Sequence, residues 1–251
     1  MASKLSLLIL LSGFILTTEI RAESTESVKS SNEALPAMEI KPLAKNVFLH
    51  ESFSKVEGWG VVGSNGLIIF EDDKAFLIDT PWSSTDTARL VEWIEKIGAK
   101  LVGSLSTHSH EDTTAGIEWL NDHSIPTYAS ALTNSILKKK GKVVASNSID
   151  ENSSSLFEGG LEVFYPGGGH SIDNLVVWHA DSKTLFGGCF VRSLKATTLG
   201  NTKEAVIESW PASVSKVIDK YQDVEIVVPG HGGVGDLRLL KHTKELVKNS
   251  K

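Results

Sequence analysis

The stretch STHSHEDTTAG, residues 106–116, places His108 and His110 on alternate positions with Asp112 two residues further on. It follows the strand-like run LVGSLST (101–107), so it sits where a strand gives way to a loop. In extended or loop backbone, alternate side chains face one way, and the two imidazoles and the carboxylate converge. A metal ion is the partner that such a convergence suits. Strand-to-loop junctions are also where sheet proteins place their chemistry.

Three more segments share that context. PGGGHSIDN (166–174) carries His170, FGGCFV (186–191) carries Cys189, and VPGHGG (228–233) carries His231, each after an apolar run and glycines. Glycine lets the backbone turn sharply and approach an ion closely. Taken singly, a histidine after glycine reads as a loop residue, and a lone cysteine as a small buried hydrophobe. Together they make six ligands, which chemistry sorts into two sets. His108, His110 and His170 are three neutral imidazoles, a zinc set with one open position. Asp112, Cys189 and His231 form a second set that favours zinc over magnesium or calcium. Two zinc ions are the expected cofactors, held as in catalytic sites, which leave a coordination position for water.

The rest of the chain frames these residues. Lys4, the apolar run LSLLILLSGFIL (5–16) and TTEIRA (17–22) have the form of a secretory signal. Cleavage is expected after Ala22, followed by a polar linker over 23–34 and a single domain over 35–251. That apolar run is too short to span a bilayer, and no cysteine lies at residues 17–25 to carry a lipid anchor. The expectation is a periplasmic monomer without membrane attachment. Cys189 is the only cysteine, so no internal disulfide forms. The formal charge is −6 and the largest basic block is Lys138–Lys140, read as a solvated helix face, so no nucleic-acid partner is expected.

Between residues 46 and 81 the runs NVFLHESF, GWGVVGS, GLIIFED and AFLIDTP read as strands, with Asn65-Gly66 marking a hairpin and EDDK (71–74) another turn. SSTDTARLVEWIEKIGAK (83–100) reads as an amphipathic helix. Further on, helices are expected in 131–142, 205–221 and from Asp236. Strands are expected in 161–167, 174–180, 183–188 and 224–230. The pattern is mixed α/β.

With HSHED (108–112), GGGHSIDN (167–174), GGCFV (187–191) and PGHGG (229–233) in hand, the chain resembles the metallo-β-lactamases of the di-zinc subclass B1, closest to the imipenemase type. VEGWGVV, LIDTPW, GIEWLND, IPTYAS and EVFYPGGGH extend the likeness over nearly the whole mature chain. The resemblance implies an αββα sandwich with the site at one edge between the sheets. It also implies the same ligand partition: His108, His110 and His170 on the first zinc, and Asp112, Cys189 and His231 on the second. The implied activity is hydrolysis of the β-lactam amide of penicillins, cephalosporins and carbapenems by a zinc-bound hydroxide, giving antibiotic resistance. Asp112 would orient that hydroxide, Asn201 would stabilise the oxyanion, Arg192 would bind the substrate carboxylate, and Trp59 would close over the substrate. Thr113 stands where glyoxalase- and nuclease-like members of the fold usually carry a histidine. Three departures are visible. Ala115-Gly116 replaces a glycine pair, Arg192 stands where lysine is common, and the loop 192–201 is a few residues longer than in the imipenemase type. Asp79 is read either as a group behind the site or as a turn residue, and His50, His123, His179 and His242 receive no role. Another hydrolase of the same fold and an exported zinc-binding or redox-sensing module remain as alternatives.

Overall fold

The computed structural model describes residues 34–150, 156–157 and 160–250. The signal segment 1–22 and most of the linker lie outside the described residues. By their contacts, Leu35–Lys251 group as one unit.

The first half of the chain builds a seven-stranded sheet. Strands β1 (Glu39–Ala44), β2 (Val47–Val56), β3 (Gly60–Glu71) and β4 (Lys74–Ile78) run antiparallel, with Asp72 at φ +51° in the tight β3–β4 turn that EDDK predicts. Helix α1 (Ser84–Lys96) starts where the Ser83 hydroxyl accepts from Asp86 N at 3.0 Å. It leads to β5 (Lys100–Leu105), which joins β4 in parallel. The short helices α2 (Glu111–Thr114) and α3 (Ile117–Asp122) precede β6 (Thr127–Ser130), α4 (Ala131–Lys139) and β7 (Asn147–Ile149), and both of these strands extend the sheet in parallel. The second sheet holds β8 (Leu161–Phe164), β9 (Val176–His179), β10 (Thr184–Gly188) and, after α5 (Trp210–Lys220), β11 (Ile226–Pro229), in the order β11-β10-β9-β8. Helix α6 (Arg238–Asn249) ends the described chain.

Side-chain alternation assigns the layers. On β3 and β4, Leu67, Ile69, Phe76 and Ile78 pack with Val163, Val177, Phe186 and Val228 of the second sheet. Their neighbours Ile68, Ala75 and Leu77 face Leu90, Val91 and Ile94 of α1. On the far side of the second sheet, Val176, Trp178 and Leu185 meet Val214, Val217, Leu240 and Val247 of α5 and α6. Helix, sheet, sheet, helix is the αββα order that the resemblance implies. Burial of two opposite faces of each central strand accounts for the near-continuous apolar runs read as strands.

Two local expectations fail. Asn65-Gly66 is no hairpin: it lies inside β3, where Asn65 pairs with Glu51 and Gly66 with His50, and the β2–β3 turn is at Glu57–Trp59 instead. Tertiary contacts override the turn propensity. Asn65 Nδ2 donates to Pro229 O and Gly232 O, both at 2.9 Å, and Asn65 N donates to Gly230 O at 2.8 Å. At Gly66, a β-carbon would overlap the His50 ring and stand 2.7 Å from Asp79 O. Helix α5 begins at Trp210 rather than near 205, with proline in its first turn. The preceding residues are held as a loop by Val206 N donating to Gly169 O at 2.8 Å.

Candidate metal centre

The loops after β5, β9's approach, β10 and β11 come together at one edge of the sandwich. After β5, His108 and His110 enter on the segment leading to α2, where the Thr113 hydroxyl donates to His108 O at 2.7 Å and fixes the turn. His108 Nε2 and His170 Nε2 each lie 3.0 Å from His110 Nδ1. Beside them, Asp112 Oδ2, Cys189 Sγ and His231 Nε2 form a triangle with edges of 3.1, 3.1 and 3.3 Å. The two sets adjoin, since His108, Asp112 and Cys189 also hold ligand atoms within 4.8 Å of one another. Close contact at Cys189 depends on Gly230, where a β-carbon would stand 2.6 Å from Cys189 N.

Three of the four rings are oriented from behind, while His170 Nδ1 is buried without a hydrogen-bond partner. Thr107 Oγ1 donates to Asp79 Oδ2 at 2.8 Å, leaving it to accept from His108 Nδ1 at 3.3 Å, and Thr107 N donates to Asp79 Oδ1 at 2.7 Å. Asp79 therefore stands behind the ligand cluster and also occupies a turn, at φ +58°. His231 Nδ1 donates to Gly63 O at 2.7 Å, and His110 Nε2 to Glu204 Oε2 at 2.7 Å. With these far nitrogens donating, the near nitrogens present lone pairs to the centre.

Electrostatics agree with that protonation at His108 and oppose it at His231, whose Nε2 keeps a proton beside Asp112 that a bound cation would displace. Burial, reinforced by His110, pulls His108 down to about 3, and burial likewise holds His170 well below the usual histidine range. Asp112 is buried, which alone raises a carboxyl, but the hydrogen bond from His231 and the charges of His108 and His231 hold it ionised, well below the carboxylate range. Burial works against a proton on His231, yet Asp112 and the Gly63 carbonyl outweigh it and raise it. Burial and the Asp112 charge push the Cys189 thiol up.

These residues fit a bound metal. Asp112 Oδ1 is buried without a hydrogen-bond partner and lies 3.9 Å from His108 Nε2. Nitrogen and oxygen ligands of tetrahedral zinc, about 2.0–2.1 Å from the ion, stand about 3.3 Å apart, and a sulfur at about 2.3 Å stands about 3.6 Å from them, a few tenths of an ångström beyond the 3.0–3.3 Å edges of the two sets. A set of imidazoles, one thiol and one carboxylate suits zinc and not calcium or magnesium.

The cluster floors a cleft of about 420 Å³ whose walls include Trp59, Trp82, Arg192 and Asn201. Trp59 lies on the β2–β3 turn between Gly58 and Gly60, both at positive φ, and is 57% exposed. Arg192 leans over Gly200, where a β-carbon would stand 3.1 Å from a guanidinium nitrogen. Asn201 is exposed, its Oδ1 accepting from Lys203 N at 3.1 Å.

Residues 59–231 match the family model described as the Metallo-beta-lactamase superfamily. The chain belongs to that family. Among its relatives, a Pseudomonas aeruginosa protein named metallo-beta-lactamase type 2 is 49% identical over 219 residues, covering 87% of this chain and 88% of its own. The solved structure of TMB-1 is 58% identical and covers 86% of this chain and 99% of its own, with a TM-score of 0.84. That of DIM-1 metallo-beta-lactamase is 52% identical and covers 87% and 100%, with a TM-score of 0.86. In this family member, two residues without a role in the sequence reading stand close behind the ligands. Glu204 touches His110 directly, and His50 Nε2 donates to Asp79 O at 2.9 Å. Neither has a local signature, because each contact joins segments far apart in sequence.

Proposed function

We infer that the chain hydrolyses the amide bond of β-lactam antibiotics as a zinc-dependent enzyme of subclass B1. The observation that carries this reading is the pair of adjoining ligand triads on the floor of an open cleft, in a chain 49–52% identical to proteins named metallo-β-lactamases. His108, His110 and His170 would hold one zinc ion, and Asp112, Cys189 and His231 a second. Bound zinc supplies Lewis acidity and brings the pKa of water to near 7.

The chain's own groups do the rest. Asp112 Oδ1, the carboxylate oxygen without a protein donor, accepts a hydrogen bond from the attacking water and holds it on the cleft floor. The Oδ1 of Asn201 is taken by Lys203 N, so Nδ2 is left to donate to the carbonyl oxygen as it gains charge. One such donor is worth about 3 kcal/mol in the transition state. Arg192, half over Gly200, offers its remaining donors to the substrate carboxylate. Trp59, exposed on its glycine-flanked turn, covers the apolar face of the bound ring system.

Substrates would include penicillins, cephalosporins and carbapenems, with antibiotic resistance as the consequence. Within the subclass, the motifs resemble those of the imipenemase type. The mature chain would begin after Ala22 and act as a periplasmic monomer. No helix among the described residues is long and apolar enough to cross a membrane. A panel of one member of each β-lactam class and one thioester, assayed with and without a chelator, tests the reading. Chelator-sensitive turnover of the β-lactams supports it, and turnover of the thioester in preference to every β-lactam assigns the site to another hydrolase.

A further inference from the structure

We propose that Lys140 and Glu204 form a clamp that positions His110 as a metal ligand and ties the Asn201 loop to the metal centre. The inference rests on the zinc-site reading above and adds residues outside the ligand set. Glu204 Oε2 accepts from His110 Nε2 at 2.7 Å, while Lys140 Nζ donates to Glu204 Oε1 and Oε2 at 2.8 and 2.9 Å. Three remote segments meet there: the C-terminal end of α4, the segment after β5, and the loop three residues beyond Asn201.

The other ligand rings differ. His108 is backed by Thr107 and Asp79 inside the protein, and His231 by the Gly63 carbonyl. Only for His110, among the ligand rings with a partner behind them, is that partner an ionised side chain on the surface. A carboxylate on the far ring nitrogen fixes the tautomer that turns Nδ1 toward the centre, and it makes that nitrogen a stronger donor to a cation. Glu204 would be free to rotate into solvent without Lys140, whose two-oxygen contact holds it over the ring. An exposed ion pair adds little stability by itself. Its effect here is on geometry, because the same carboxylate sets how far Asn201 stands from His110. Lys140 thus does more than the solvated lysine run suggests. Both are positioning residues and touch no substrate.

The test measures zinc affinity of the full mature chain by competition with a chromophoric chelator, alongside ¹⁵N NMR of the His110 ring. Glu204→Gln keeps an acceptor but removes its charge. It should weaken zinc binding about 10- to 100-fold and shift the His110 ring nitrogens. Lys140→Met should weaken binding about two- to fivefold, and Lys140→Arg should restore it. Neither measurement uses a β-lactam, so a zinc-binding chain that shows these shifts without turnover upholds the clamp while refuting the lactamase reading. Zinc affinity and ring shifts equal to those of the unmodified chain in both Glu204→Gln and Lys140→Met would overturn the clamp.

Discussion

Replacing Asn65 by alanine probes the link between the first sheet and the loop that carries His231. Asn65 is buried, and its Nδ2 donates to Pro229 O and Gly232 O, the carbonyls that bracket Gly230 and His231. A neutral hydrogen bond contributes about 1 kcal/mol net where water can replace the lost donor, and its loss costs about 1–3 kcal/mol instead where it strands a buried carbonyl. Pro229 O is fully enclosed and Gly232 O only partly, so the sum for Asn65→Ala is about 2–4 kcal/mol. For a domain of this size that lowers the Tm by roughly 5–15 °C. The backbone bond from Asn65 N to Gly230 O survives the substitution, so the loop loosens rather than detaches. His231 Nε2, now 3.1 Å from Asp112 Oδ2, loses its rigid support, and zinc at the second set should be released first on chelation. Urea unfolding followed by tryptophan fluorescence measures the stability of the metal-free protein, and chelator-driven zinc release measures the site. A metal-free stability within 0.5 kcal/mol of the parent would show that Asn65 does not hold this loop.

Gly230→Ala should displace Cys189, whose backbone nitrogen would lie 2.6 Å from the new β-carbon. Zinc per chain, by elemental analysis, should fall while the His108, His110 and His170 set still loads. His50 is held neutral by burial, at about 4 against 6.5, so the unfolded chain binds the proton that the folded chain refuses. Its contribution, about 3 kcal/mol, is complete above pH 6.5 and is lost as the pH falls toward 4. His50→Gln should flatten the acid limb of stability measured by urea unfolding of metal-free protein. Zinc binding must displace the proton that burial and Asp112 keep on Cys189, so affinity measured by competition should fall as the pH is lowered from 8 to 6. Trp59→Ala should raise KM for β-lactams with little change in stability, since the ring is exposed. A KM unchanged for every substrate would remove its covering role.

The central strands were legible because each buries both faces, and apolar runs such as Leu67–Ile69 and Ala75–Ile78 leave little choice of structure, whereas their αββα layering was an expectation carried by the family resemblance. The convergence of the six ligand side chains was legible for a related reason. Cys189 and His231 follow β10 and β11 closely, His108 and His110 lie on the short segment between β5 and α2, and three glycines precede His170, so local sequence carries much of their placement. Asn65-Gly66 misled because a two-residue turn signal reports local preference, while the amide of Asn65 is satisfied by carbonyls more than 160 residues away. Glu204 and His50 were invisible for the same reason. A glutamate in a polar loop and a histidine in a strand have ordinary surroundings in sequence, and only the folded chain brings them to His110 and Asp79.

The most direct test of the central claim is native mass spectrometry of the purified mature chain, run beside nitrocefin hydrolysis on the same sample before and after chelation. The account predicts a mass carrying two zinc ions in the active sample, loss of both mass and turnover on stripping, and recovery of both when zinc is returned. A stripped chain that hydrolyses nitrocefin at the original rate would contradict it.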